Sequence, residues 1–162
     1  MAVFALTSAT ILTGTAWTGT APGGSAAASG TITTSTDISA MVTQVELSLE
    51  AEELDYTNFA SAGWRQKIGG LQMGTVNLTL NQDFAASQVD AIFGLGGTLG
   101  FGSTSSLYMD IKAVAGSRAA TNPSYVLRFL NLGYTPISNS VGELAVVSLS
   151  FPTTGVVTRL AS

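Results

Sequence analysis

The sequence predicts a mainly β protein, a β-sandwich or partly closed barrel of about seven to eight strands with one α-helix at its flank. Three observations carry that prediction. Two stretches, residues 41–51 and 75–84, alternate apolar and polar side chains with a period of two. One stretch alone, residues 84–93, has helical spacing. And the 162 residues are only 10% charged, against about 25% in an average soluble domain.

Taken in order, residues 1–36 carry no charge. Residues 3–12 read as an N-terminal strand or arm, because a signal peptide would need a basic start that is missing here. Residues 14–30 read as a Gly/Ala/Ser/Thr loop. The expectation is a single domain, 1–162, with 1–36 supplying this strand and loop. Next comes the unit around which the rest is arranged. Met41, Thr43, Val45, Leu47, Leu49 and Ala51 form a mostly apolar set, opposed by Gln44, Glu46, Ser48, Glu50 and Glu52. The second run sets Val76, Leu78, Leu80 and Phe84 against Thr75, Asn77, Thr79, Asn81 and Asp83. Each therefore reads as a half-buried strand with one face in the core and one wet. The segment between them is too long for a tight turn, and it carries Tyr56, Phe59 and Trp64.

The helix is expected to present Phe84, Val89, Ile92 and Phe93 to the core and to stop at Gly94. The glycine loop that follows, residues 94–100, is not a phosphate cradle. It follows a helix instead of opening one, and its spacing is not GxGxxG. Strands are then expected at 106–114, at 125–134 (apolar on both faces apart from Arg128), at 143–151 and at 155–160.

Composition excludes much chemistry. The chain has no cysteine and no histidine, which removes disulfides, thiol nucleophiles, Ser-His-Asp catalysis and His- or Cys-based metal sites. A net charge of −4 argues against a dedicated nucleic-acid-binding domain. There is no apolar run long enough for a spanning helix, and too few regular hairpins with aromatic ends for a membrane barrel, so no membrane partner is expected. Five acids crowd residues 46–55, but Glu46, Glu50 and Glu52 line one wet strand face in a row. Glycosidase carboxylates must flank a substrate, so the row reads as a solvated face. No enzyme activity, cofactor or metal is expected. Asn77-Leu78-Thr79 matches a glycosylation acceptor but lies inside a strand. Trp64 beside Gly63 suits either a sugar-stacking platform or an interface anchor, and the low charge favours the interface. A surface so poor in ions, at a mean hydropathy of +0.39, is best covered by further copies of itself.

The order of these pieces resembles a known family. An acidic strand, Asp-Tyr-Thr-Asn-Phe at 55–59, Gly63-Trp64-Arg65, Gly70-Leu71 and then an alternating strand resemble the major tail tube proteins of long-tailed, non-contractile bacteriophages. The resemblance runs from residue 43 to the C-terminus. It implies the phage tail tube fold and hexameric rings stacked into a virion tail tube, built in the host bacterial cytoplasm, through which DNA passes. It implies partners as well: the chain itself, a tape measure protein, a tail terminator and tail-tip proteins. Carried over by position, Gln44, Glu46, Ser48, Glu50, Asn77, Thr79 and Asn81 would face the lumen. The loop 53–74 would bridge rings, reaching roughly 35 Å at ~3.3 Å per residue when doubled back. Its interface residues would be Tyr56, Phe59, Gly63, Trp64, Arg65 and Gly70, with Gly63, Gly69 and Gly70 supplying turns. The alternatives are a tail terminator or secretion-system tube of the same fold, or a carbohydrate-binding sandwich.

Overall fold

The computed structural model describes residues 8–61 and 63–161, so residues 3–7 of the expected first strand lie outside the described residues. In chain order the elements are β1 (Thr10–Gly14), β2 (Trp17–Thr18), β3 (Thr31–Ile32), β4 (Thr36–Asp37), β5 (Val42–Asp55), β6 (Lys67–Asn81), α1 (Val89–Phe93), β7 (Leu107–Lys112), β8 (Ser124–Phe129), β9 (Val146–Pro152) and β10 (Thr158–Leu160). A 3₁₀ turn covers Phe59–Ser61.

The protein is mainly β, as the alternation requires. One sheet has the order β10-β8-β7-β1-β4, a second has β5-β6-β9, and β2-β3 is a separate pair. Apolar faces of the two larger sheets meet in one buried cluster. Ile11, Met109, Leu127 and Phe129 come from the first sheet, and Val76, Leu78, Leu80, Leu149 and Phe151 from the second. Each such side chain contributes about 1.5–3 kcal/mol on leaving water, which is what holds the sandwich shut. It is not a closed barrel. A bridge between Phe129 and Thr153 is where β8 touches the end of β9. Helix α1 plugs one side through Val89, Ile92 and Phe93, all buried. The Phe93 and Phe129 rings lie 5.6 and 4.8 Å from that of Phe151, joining helix and both sheets.

Three expectations need correction. The helix has five residues, Val89–Phe93, and does not begin at Phe84. Asp83 Oδ1 accepts the Ala85 N–H at 2.8 Å, and Ser87 has a φ of 65°. An Asx turn followed by a left-handed residue cannot propagate a helix. Phe84 therefore falls outside both helix and core and is 60% exposed. Next, the uncharged N-terminal segment contains strands where a loop was expected. Trp17-Thr18 pairs with Thr31-Ile32; Trp17 Nε1 donates to the Ser29 carbonyl at 2.9 Å, and its ring packs on Tyr108. From Thr10 the chain is also no free arm, since β1 lies between β4 and β7. Finally, half of the segment 53–74 is strand: β5 continues to Asp55 and β6 starts at Lys67. Gly69 and Gly70 lie within β6 and make no turn there, whereas Gly63 has the positive φ of 82° that a turn uses.

Candidate functional site

The β5–β6 hairpin has a root, where β9 joins it, and an arm, where it stands alone. At the root, register puts Gln44 opposite Thr79, Glu46 opposite Asn77 and Ser48 opposite Thr75. On the other side of β6, Thr79 faces Ser148 and Asn77 faces Ser150. Paired residues share a face. Three strands thus present one continuous polar surface, with Val45, Leu47, Val76, Leu78 and Leu80 turned to the core. Glu46 accepts a long bond from Asn77 Nδ2 at 3.5 Å. The six basic residues, Arg65, Lys67, Lys112, Arg118, Arg128 and Arg159, all lie elsewhere in the sequence, so the surface is acidic and neutral throughout. No group of three or more potential metal ligands converges among the described residues. Ser148 and Ser150 belong to this face although sequence reading leaves them out, because strand parity gives faces but not which strand lies beside which.

β9 pairs β6 only from Asn81 back to Thr75. Beyond Gly74 the hairpin continues as two strands, from Glu50–Met73 to Asp55–Lys67. Gly74 makes this junction possible: a Cβ there would lie 2.8 Å from Thr153 Oγ1 and 3.0 Å from Leu49 Cδ2. A two-stranded ribbon is marginal in water, and this one is studded with apolar side chains. Leu49, Leu54, Ile68, Leu71 and Met73 are exposed, and at the tip Tyr56, Phe59 and Trp64 are 54%, 110% and 80% exposed. Leu71 and Met73 have the parity of Thr75, Asn77 and Thr79. Met73 pairs with Glu50, so on the arm apolar and acidic side chains share the face that is wholly polar at the root. An open cleft of about 480 Å³ lies at the junction, between Leu49 and Met73 on one side and Val156 and Val157 on the other.

The neck of the tip is ordered by hydrogen bonds. Asp55 Oδ1 accepts the Thr57 N–H at 2.8 Å and its hydroxyl at 2.5 Å, the same hydroxyl accepts the Gln66 N–H at 3.0 Å, and Tyr56 N–H donates to the Gln66 carbonyl at 3.0 Å. The two bonds from Thr57, the hydroxyl's foremost, hold the Asp55 carboxyl below its ordinary value. Lys67 pairs with Glu53 at 2.6 Å, while Arg65 is exposed and makes neither of the ion pairs found among the described residues.

At the other end of the sheet, Gln82 Nε2 donates to the Tyr134 hydroxyl at 3.0 Å, and that hydroxyl donates to Asp90 at 2.8 Å. Burial first, and then Asp90, push the Tyr134 phenol above its ordinary value, with Gln82 pulling the other way. The phenol stays a donor and clamps the connection 130–145 to the helix.

The chain shares this fold with solved tail particles. It is similar to a chain in the tail of an empty gene transfer agent (GTA) particle, computed with helical refinement and C6 symmetry, at 17% identity and a TM-score of 0.50, over 75% of this chain and 83% of that one. It is also similar to a chain in the virion of a native gene transfer agent particle, at 17% identity and a TM-score of 0.52, over 78% and 89% of the two chains. No protein-family model and no curated protein matches the sequence. At this identity the likeness is one of fold: a β-sandwich of the kind found in such tails. Of the residues expected to form one polar face, Gln44, Glu46, Ser48, Asn77 and Thr79 are brought together at the root, Asn81 closes its β6 row, and Glu50 lies where the arm begins. Tyr56, Phe59, Gly63, Trp64 and Arg65 sit at the tip, with Gly70 lower on the arm.

Proposed function

We propose that this chain is a structural subunit of a phage-type tail tube, in which six copies form a ring and rings stack into a hollow tube that conducts DNA. The reading rests above all on one feature: a hairpin that is polar and free of cations at its root, yet bare and studded with exposed apolar side chains along its arm. Such a two-stranded arm needs a cover, and in a stacked tube the next ring supplies one. Among the described residues no strand pairs along the outer edge of β5, and the outer edge of β9 is met only at its Pro152 end; such edges invite pairing with another copy. Six such sheets joined edge to edge make about eighteen strands, a size at which a barrel leaves an open channel instead of a filled core. The likeness in fold to a tail refined with C6 symmetry supports the ring number.

On this reading the root face, Gln44, Glu46, Ser48, Glu50, Asn77, Thr79 and Asn81 with Ser148 and Ser150, lines the lumen. Carboxylates and neutral groups make no phosphate contacts, so DNA finds nothing to hold it. The chain does no catalysis, works in the virion tail after assembly in the host cytoplasm, and meets a tape measure, a terminator and tail-tip proteins. A terminator of the same fold would stop at one ring. Negative-stain microscopy of the purified protein is the test: stacked rings or tubes are expected. Isolated rings at every concentration point to the terminator, and a monomer at high concentration overturns the assembly reading altogether.

A further inference from the structure

Exposed apolar residues outside the arm gather at the opposite end of the same sheet. β6 runs from Lys67 on the arm to Asn81, where β9 begins opposite it at Val146. Just past that end lie Phe84, Ile137, Val141 and Leu144, which are 60%, 80%, 106% and 71% exposed. The last three belong to the connection 130–145, which has no regular secondary structure; irregular loops of this length usually have a task. This one is tied down: Gln82 N–H donates to the Ala145 carbonyl at 2.8 Å, Gln82 Nε2 to the Pro136 carbonyl at 3.0 Å, and Asn139 Nδ2 to the Leu144 carbonyl at 2.8 Å. Beside it is an open cleft of about 290 Å³ lined by Leu95, Phe101, Tyr134, Pro136 and Asp90. The arm as a whole carries more acids than bases, but its tip offers one cation outside the ion pairs of the described residues. Arg65 is exposed at the tip, and Asp83 and Glu143 are exposed at the far end.

We infer that a second copy of this chain occupies the far end: the hairpin tip of one copy seats on the 132–144 loop of the next, with Trp64 in the Leu95–Phe101 cleft and Arg65 against Glu143. The inference rests on the stacking of copies proposed above and names the surface that receives the tip. An aromatic and arginine knob in an apolar hole is the usual form of an interface anchor. Because the two surfaces differ, the contact is heterologous and repeats without limit, as a tube requires. Tip-to-tip pairing would set Arg65 against Arg65 and leave the acidic end uncovered.

The absence of cysteine from the chain makes the test clean. Arg65→Cys and Glu143→Cys variants are mixed in equal amounts, their assembly is read by microscopy, and the mixture is oxidised. A covalent dimer is expected from the mixture and not from either variant alone; a chain carrying both changes is expected to give a ladder of multimers. Assembled particles without that dimer, or a dimer from Arg65→Cys alone, overturn this contact while leaving the tube standing. A parent protein that never assembles removes both. In parallel, Arg65→Glu or Glu143→Arg is expected to lower the assembled fraction roughly two- to fivefold, the scale of an exposed ion pair. The double reversal should restore it; no rescue counts against the pairing.

Discussion

Thr57 keeps the neck of the hairpin closed, and it does so by bonding a carboxylate that water reaches freely. The folded Asp55 carboxyl titrates below its ordinary value because the Thr57 hydroxyl and N–H stabilise the charged form. A lowered folded pKa contributes order that is complete above the unfolded value of about 3.9 and is lost as pH falls through the folded one. Amide-exchange protection at Thr57 and Gln66 should therefore be flat from neutral pH down to about 5 and fall below about 4. Asp55→Ala should remove it at every pH; a wild-type profile that does not bend in acid would refute the link. A second residue-scale prediction concerns the other sheet. Asp110 is 2% exposed, accepts the Ser124 hydroxyl, and meets Arg118 Nη2 at 2.7 Å, while Arg118 Nη1 reaches the Gly30 carbonyl at 2.7 Å. Arg118→Ala leaves a buried carboxylate without its cation, at a cost of about 2–4 kcal/mol. Urea unfolding below the assembly concentration should register that loss, with Arg118→Lys recovering only part of it, because Lys lacks the fork that reaches both partners.

At the scale of the element, the hairpin arm is the part that tertiary structure within one copy does not explain. Its apolar residues lie on both sides of a ribbon that, beyond the cleft at its base, no other described residues cover. Trp64→Ala should leave the fold intact and weaken assembly by about 2 kcal/mol, the scale of an interface anchor, or roughly a thirtyfold rise in the concentration at which rings stack. Sedimentation of assembled protein measures this, and unchanged yield would remove Trp64 from the contact. The same arm explains what the sequence could and could not disclose. From Thr75 to Leu80 one face is buried and one is wet, so the alternation is clean and both the strand and its faces are legible. From Lys67 to Met73 neither face is buried in the folded chain. With no core face to fill there, nothing in the fold maintains the alternation, so period two disappears and strand reads as loop. The helix is shorter than its hydrophobic spacing predicts for a local reason, the turn at Asp83–Ser87, which that spacing does not report. β2 and β3 are two residues each, too short for any period. The third row of the polar face, Ser148 and Ser150, depends on β9 crossing the chain to lie beside β6, a long-range pairing that no local pattern encodes.

At the scale of the whole molecule, charge is sorted by place. The acids of the root face have no basic neighbour, whereas Lys67 and Arg65 stand on the arm and Arg118 is spent inside a pair. For a monomer in water this distribution has no evident use. For a tube it separates two tasks, a lumen that must not grip DNA and a ring contact that must hold. In the proposed tube, each root-face carboxylate turned to lysine would add a phosphate contact that six copies repeat in every ring, so the cost would compound along the tube. Glu46→Lys with Glu50→Lys should assemble normally, since neither residue touches the arm tip or the core, but DNA ejection should slow or stall. The effect should be strongest at low salt and relieved as ionic strength rises, because counterion release weakens each contact in proportion to the logarithm of salt concentration. Ejection kinetics at two salt concentrations decide the matter: equal rates for parent and variant at low salt would mean that the acidic root face does not line the path of the DNA.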